Sequence, residues 1–267
     1  MKSQAEFNWI FIIIAGAIIL AFFTGFAFKY KALQEEKISV QLLTRLDNTL
    51  SSLKSSPFRT LDKINLPNEI NITCNDIIVN GEKFRTNNLL FSQGTLSKEM
   101  IIYYRPFKLP FKIADFYLIT DSSKKYNLVY DSSTQNYVVS LINDLPDDLQ
   151  TKFSYSTTEK TNQINVRVTN LNNNKLRVNN QEIYKNDDLV LAAIFSNEFN
   201  CMNEKVQLEL NKVVQVYEDK ALTINQDTCN YTPFLTYLDR LKDDYSYSSS
   251  IEDLNDNLAA TNCPVLY

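Results

Sequence analysis

Residues 9–28 form an unbroken run of uncharged side chains, WIFIIIAGAIILAFFTGFAF. At about 1.5 Å of rise per helical residue, a helix of this length crosses the roughly 30 Å hydrocarbon layer of a bilayer. The alternative is a buried core helix, but a soluble helix usually keeps a polar face, and this run holds only the Trp9 indole and the Thr24 hydroxyl. We therefore expect residues 9–28 to be a transmembrane helix that tethers the chain once to membrane lipid.

Small residues recur every four positions within this run, at Ala17, Ala21 and Gly25. Such a stripe lets another helix backbone approach closely within a membrane. Alanine and glycine are also frequent in membrane helices in general, so the alternative is a stripe without a partner. We expect helix packing there, either with a second copy of the chain or with other single-pass helices.

The overall composition excludes several classes of function. A net charge of −4 and a pI near 5.1 argue against nucleic acid as a partner, because nucleic-acid binding needs basic patches. The chain contains no histidine, which excludes Ser-His and Cys-His nucleophilic catalysis and the usual zinc sites of hydrolases. We expect that the protein is not an enzyme and has no catalytic residue, metal site or cofactor.

The cysteines all follow the apolar run: Cys74, Cys201, Cys229 and Cys263. An even number without a C-x-x-C pair favours two disulfides in an oxidising compartment over a metal cluster, the alternative being four buried thiols. Lysines flank the run on both sides, so the positive-inside rule does not select an orientation. The cysteines and the size of the polar part predict a cell-membrane protein with a large external C-terminal domain.

Asparagine glycosylation motifs do not decide the orientation. Asn71-Ile72-Thr73 and Asn230-Tyr231-Thr232 both match N-x-T. Chance alone gives ~4 matches in a chain so rich in asparagine, serine and threonine. The two motifs by themselves therefore indicate nothing about the side of the membrane.

The polar stretch after the apolar run is also predicted to be helical. Leu43, Leu46, Leu50 and Leu53 are spaced by three, four and three residues, and no proline or glycine intervenes before Pro57. We expect one helix of nearly fifty residues, apolar first and amphipathic afterwards. Its amphipathic half would dock on its own domain or on neighbouring copies.

The first fifty residues contain the context Lys2-Ser3, then Gln4, the acidic residue Glu6 and the apolar run. This arrangement resembles a type IV pilin N-terminus with an archaeal class III signal, and the resemblance implies that Gln4 is the new first residue after cleavage. The resemblance implies that Glu6 pairs with a neighbour's terminal amine as subunits enter a filament. Two positions depart from the family pattern: Glu6 would be third after cleavage instead of fifth, and Ser3 replaces glycine. Alternatively, Glu6 marks the membrane surface and complements the helix dipole.

Short β patterns begin after Pro57. Residues 77–79 lead into Asn80-Gly81, the strongest short hairpin signal, and the apolar run 189–195 is interpreted as a central buried strand. Residues 141–150 are predicted to hold one short helix that begins around Pro146. The aromatic segment 103–111 is predicted to pack as an edge strand, the alternative being a binding platform for sugar or peptide.

Three helices are predicted near the C-terminus, over residues 202–224, 232–242 and 251–260. The last two are joined by a short turn and should pack antiparallel, which brings Cys229 and Cys263 together. A helix over residues 202–224 separates Cys201 from Cys229 by over 30 Å. Disulfide Cα atoms lie within about 7 Å, so Cys74 is left to pair with Cys201.

The predicted fold class is α+β: an N-terminal transmembrane helix that continues into an amphipathic stalk helix, an antiparallel β-rich domain, and a C-terminal helical part. The predicted divisions are residues 1–8, 9–28 for the membrane helix, 29–56 for the stalk, 57–200 for the β-rich part and 201–267 for the helical part. We expect a structural or assembly role at the cell surface, and the pilin resemblance implies a filament. The alternative is a monomeric surface receptor or ligand-binding module.

Overall fold

The structure, a computed structural model, describes residues 3–56, 58–172, 174–224 and 229–267, with residues 3–8, 10 and 32 described by their backbone alone. Helix α1 runs without interruption over Ser3–Lys54, which confirms a long N-terminal helix that is apolar in its first half. Pro57, which was predicted to end this helix, lies outside the described residues. The chain divides into two compact units, Met1–Asn48 and Thr49–Tyr267.

The second unit combines short strands with helices, as expected for an α+β fold. Its strands are β1 (Thr60–Asn65), β2 (Ile70–Ile72), β3 (Asp76–Val79), β4 (Glu82–Arg85), β5 (Leu89–Ser92), β6 (Thr95–Leu96), β7 (Glu99–Lys108), β8 (Lys112–Asp121), β9 (Tyr126–Tyr130), β10 (Phe153–Ser156), β11 (Ile164–Asn172), β12 (Lys175–Val178) and β13 (Gln181–Tyr184). Its helices are α2 (Gln135–Asn143), α3 (Asp147–Gln150), α4 (Asp187–Phe195), α5 (Phe199–Ile224), α6 (Thr232–Leu241) and α7 (Ser248–Ala260), with a 3₁₀ turn at Tyr245–Tyr247.

The strands form three sheets, in the orders β1-β7-β8-β5, β10-β9-β11-β12-β13 and β4-β3-β2-β6. The prediction of an antiparallel β part is only partly right, because β5 pairs with β8 in parallel and β9 pairs in parallel with both β10 and β11. Parallel neighbours need a crossover connection. Helices α2 and α3 supply it between β9 and β10, so the second sheet is mixed.

The hairpin predicted at Asn80-Gly81 is confirmed. Strands β3 and β4 pair antiparallel, with Val79 opposite Glu82. Asn80 and Gly81 both have positive φ, 53° and 85°, as a two-residue turn of type I′ requires.

The run 189–195 is helix α4, so its interpretation as a central strand is wrong. Asn186 accepts hydrogen bonds at Oδ1 from the backbone N–H groups of Asp188 and Leu189, at 2.9 and 3.2 Å, and so caps the helix. All residues from Leu189 to Phe195 are buried. A helix enclosed on every side has no polar face, so the sequence shows no helical period.

The start predicted around Pro146 is confirmed, because α3 begins at Asp147 with Pro146 as its N-cap, but residues 141–143 belong to a separate helix, α2. Pro146 precedes α3 with extended backbone (φ −58°, ψ 148°). A proline disfavours helical geometry in the residue before it, here Leu145, and this separates the two helices. Helix α2 also begins earlier than predicted, at Gln135.

The first sheet carries the core of the second unit on one face, where β5 and β8 contact α4 and α5. The last turn of α1 is fixed within the same unit: Leu50 and Leu53 are buried, and the Tyr117 hydroxyl donates to the Leu50 carbonyl at 3.1 Å. Lys54 Nζ lies 3.6 Å from Asp115 Oδ2.

Candidate functional site

The described side chains in the apolar part of α1, at residue 9 and residues 11–28, are exposed except for the half-buried Ala15. Its most apolar 18-residue window has a mean hydropathy of 2.6, and none of that window is buried within the chain. Trp9 is 70 % exposed and Phe22 is also 70 % exposed. Continuous apolar surface of this extent marks a site that lipid or another protein covers.

The hydroxyl group of the run, at Thr24, is hydrogen-bonded within the helix itself. The Thr24 hydroxyl donates to the Leu20 carbonyl at 2.7 Å, one turn earlier. This bond satisfies the hydroxyl without water, as a bilayer core requires. Charged residues return after Phe28, where Lys31 Nζ lies 3.7 Å from Glu35 Oε1.

Ala17, Ala21 and Gly25 are all exposed. A Cβ added at Gly25 would meet no atom within 4 Å, so the chain's own packing does not require glycine there. The stripe is therefore open to another helix, and its predicted role in packing stays a prediction.

The residues that carry the pilin resemblance lie at the start of α1. The helix backbone begins at Ser3 and includes Gln4 and Glu6. Their side chains, together with Met1 and Lys2, lie outside the described residues. Processing between Ser3 and Gln4 and a role for Glu6 in assembly remain predictions.

The cysteines form the two disulfides that were derived from the sequence. Cys74 bonds Cys201 with Cα atoms 6.1 Å apart, and Cys229 bonds Cys263 with Cα atoms 5.9 Å apart. The first joins the β2–β3 connection to the first turn of α5. The second joins the segment before α6 to the segment after α7.

Charged residues reinforce the first disulfide. The Cys74 backbone N–H donates to Glu198 Oε2 at 2.7 Å, and the Lys205 ammonium donates to the Cys74 carbonyl. The connection between β2 and β3 is thus held to α5 by three contacts at one residue.

A buried ion pair, which the sequence analysis missed, lies between β7 and α4. Arg105 is 0 % exposed, and its Nε donates to Asp188 Oδ1 at 2.5 Å. Arg105 Nη2 lies 3.8 Å from Asp144 Oδ2, which also accepts from Arg59 at 2.5 Å. Neither Nη1 nor Nη2 of Arg105 has a hydrogen-bond partner among the described residues.

Burial raises the pKa of Asp188 above its ordinary value, against the opposing pull of Arg105. Arginine and aspartate are 83 residues apart in the chain. The one local signal for this pair is an arginine within the otherwise apolar and aromatic run 100–107. The ion pair therefore joins β7 to α4 inside the domain.

The aromatic segment 103–111 is packed into the domain, as its structural interpretation predicted. Phe107 stacks on Phe116 with ring centroids 4.7 Å apart, and the ring centroids of Phe111 and Tyr217 are 4.3 Å apart. The prediction of an edge strand is wrong for Tyr103 and Tyr104, which lie between β1 and β8. Pro106 lies beyond the end of β1, where no hydrogen-bonded neighbour is required on that side.

No group of three or more Asp, Glu, Cys or His side chains in the described part of the chain is arranged to hold a metal ion. Several acidic side chains there form ion pairs, as with Lys63 Nζ 3.0 Å from Asp148 Oδ2. The features that point to a role outside the domain are the exposed run of α1 and its stripe of small residues.

Asp121 connects two turns at the end of β8. Its Oδ2 accepts from the backbone N–H groups of Ser97 and Lys98, at 2.5 and 3.1 Å, and its Oδ1 accepts from the Ser123 N–H and hydroxyl. Burial alone would raise the pKa of this carboxyl, but the hydrogen bonds outweigh it and lower the pKa to about 2.

Asp121→Asn is expected to lower the free energy of unfolding by about 2 kcal/mol at pH 7, because an amide cannot accept at both positions. A depressed folded pKa contributes stability above the ordinary value near 4, and this contribution is lost as pH falls towards 2. The difference between the two proteins should therefore shrink below pH 4. Denaturant unfolding of the full chain in detergent, followed by near-UV circular dichroism at pH 7 and pH 3, measures it.

The exposed Asp253 on α7 provides the matched control for this change. Asp253→Asn should leave the free energy of unfolding within about 0.5 kcal/mol of the parent. A constant difference between Asp121→Asn and the parent from pH 7 to pH 2 would contradict the assignment to ionised Asp121.

Comparison of the chain with protein-family models, with curated proteins and with solved structures found no significant match.

Proposed function

We propose that this chain is a single-pass membrane protein that carries a disulfide-bonded α+β domain on the external side of the cell membrane. The observation that supports it best is the exposed apolar half of α1. Its 18-residue window of mean hydropathy 2.6 has no cover within the chain. Lipid is the cover that suits a helix apolar on all sides and about as long as a bilayer is thick.

The external position of the domain is supported by its two disulfides. Both lie in the unit Thr49–Tyr267, on one side of the apolar run. Disulfides persist in oxidising compartments and are rare in reducing ones. A helix that starts near the N-terminus then places nearly all of the polar chain outside.

The role we propose is structural: assembly at the surface through contacts between membrane helices. It is supported by the exposed stripe Ala17, Ala21 and Gly25, since small side chains allow close approach of a second helix. The resemblance of Ser3, Gln4 and Glu6 to a pilin N-terminus points to a filament subunit within this class. No nucleic acid is expected among the partners, given the net charge of −4.

Two measurements on native material test the proposal. We expect the protein to stay with membranes in alkaline carbonate and to show no free thiol when unfolded without reductant. Release by carbonate would contradict the membrane anchor, and four free thiols would contradict the external position. N-terminal sequencing tests the pilin relationship, since Gln4 as first residue would support it and an intact Met1 would oppose it.

Replacing Ala17, Ala21 and Gly25 together by leucine is expected to weaken association between copies at least about tenfold, because bulk at the stripe separates the helix backbones. Sedimentation equilibrium of the full chain in detergent measures this constant. The matched control replaces Ile12, Ile19 and Phe23 by leucine. At 100° per residue, these three positions lie on the helix face opposite the stripe. A mass of one chain in both the parent and the first variant, with ligand capture intact, would favour a monomeric receptor instead.

A further inference from the structure

Helices α6 and α7 enclose an open cleft of about 290 Å³ beside the Cys229–Cys263 disulfide. The side chains that line it are both apolar and polar. The apolar ones are Phe234 and Leu258, which are buried, and Leu254, which is half-buried; the polar ones are the exposed Asn230, Asn257 and Thr261. Apolar surface with a few polar groups around it suits a ligand that has both apolar and polar surface, such as a sugar ring.

Asn230 is the first residue of the triplet Asn230-Tyr231-Thr232, which has the N-x-T form of a glycan acceptor. Asn230 and Thr232 are exposed, whereas Tyr231 is buried and its hydroxyl donates to the Pro264 carbonyl at 2.8 Å. The two residues that a glycosyltransferase reads therefore face outward, while the residue between them anchors the segment.

The second triplet, Asn71-Ile72-Thr73, has a different environment. Asn71 is half-buried in the middle of β2, which pairs with β3 on one side and β6 on the other. The Thr73 hydroxyl donates to the Asp76 carbonyl at 3.0 Å and accepts from the Asp76 N–H at 3.1 Å. Asn71, which would accept the glycan, lies within the sheet, and the Thr73 hydroxyl is hydrogen-bonded in the turn that follows. The fold therefore distinguishes two triplets that match the same sequence motif.

We propose that Asn230 carries an asparagine-linked glycan, in preference to Asn71, and that the first sugars lie in the cleft between α6 and α7. The inference rests on the external position proposed above, because a transferase must reach the domain there. The donor is a lipid-linked sugar phosphate. The Asn230 Nδ2 bonds the anomeric carbon, the bond from that carbon to the phosphate oxygen breaks with its electron pair leaving on the phosphate, and an amide proton passes to a transferase base.

Mass spectrometry of native protein, digested with trypsin without reduction, measures the sugar mass at both triplets. Peptide 221–240 contains Cys229 and Asn230 and is linked to peptide 243–267; peptide 64–83 contains Asn71 and Cys74 and is linked to peptide 186–205. We expect the first linked pair to carry added sugar mass and the second to carry less or none. Each pair reports its disulfide in the same spectrum.

The outcomes separate the inference from the function on which it rests. An unmodified Asn230 beside an intact Cys229–Cys263 disulfide would overturn the inference and leave the external domain standing. Equal or higher occupancy at Asn71 would overturn the preference for Asn230. Free thiols on an unmodified chain would instead contradict the external position itself.

Two variants produced in the native cells test the motif and the cleft. Thr232→Val should lose the sugar mass on peptide 221–240, whereas Thr232→Ser should retain it, because the hydroxyl is what the transferase requires. Hydroxyl-radical footprinting should then modify Leu254 less in Thr232→Ser than in Thr232→Val. Retention of sugar in Thr232→Val, or equal modification of Leu254 in the two glycoforms, would overturn the corresponding part of the proposal.

Discussion

Replacing Cys74 and Cys201 together by serine is expected to lower the free energy of unfolding by about 5 kcal/mol. These cysteines are 127 residues apart, so their bond removes a large amount of conformational entropy from the unfolded chain. The remaining contacts of this segment, from Glu198 and Lys205 to the Cys74 backbone, do not restrict the unfolded state. Denaturant unfolding of the full chain in detergent measures the loss.

The Cys229–Cys263 bond is the matched control, because it closes only 34 residues. The same chain-entropy relation gives about 4 kcal/mol for its removal. A larger loss from the shorter loop would contradict the entropic account and would point to native contacts around α6 and α7 as the main source of stability.

Arg105→Met is expected to lower the free energy of unfolding by about 3–5 kcal/mol at pH 7, because it leaves the Asp188 carboxylate buried without its partner. Burial already raises the pKa of Asp188, and a raised folded pKa means that stability falls as pH rises through that pKa. The loss should therefore be smaller at acid pH, where Asp188 is protonated and neutral. Unfolding of parent and variant at pH 7 and pH 4 measures both effects.

The double variant Arg105→Met with Asp188→Leu is the control for this ion pair. We expect it to regain most of the lost free energy, since it removes both charges and also the two buried Arg105 nitrogens without hydrogen-bond partners. A double variant no more stable than Arg105→Met would show that the ion pair stabilises the fold in its own right.

Local chemistry made part of this fold predictable. Asn80 and Gly81 adopt positive φ with little cost, so the β3–β4 hairpin can be read from two residues. The disulfide pairing followed from two helical features, because the short turn between α6 and α7 brings Cys229 to Cys263 and the length of α5 separates Cys201 from Cys229. The membrane-length run 9–28 is a continuous pattern, and its exposure in α1 follows from the same composition.

The unpredicted parts depend on distant residues. The run 189–195 shows no helical period because α4 is enclosed on all sides, and its one local signal is the cap Asn186 followed by Asp187 and Asp188. The parallel pairing of β9 depends on where α2 and α3 return the chain. The Arg105–Asp188 pair joins residues 83 apart, which no local pattern reports.

The bond from the Thr24 hydroxyl to the Leu20 carbonyl has a consequence for any array of these helices. The hydroxyl donates its one proton within its own helix, so it has no proton left to donate to a second copy. If copies associate at the stripe Ala17, Ala21 and Gly25 as proposed above, that contact would depend on the close approach of small side chains and not on a bond donated by Thr24.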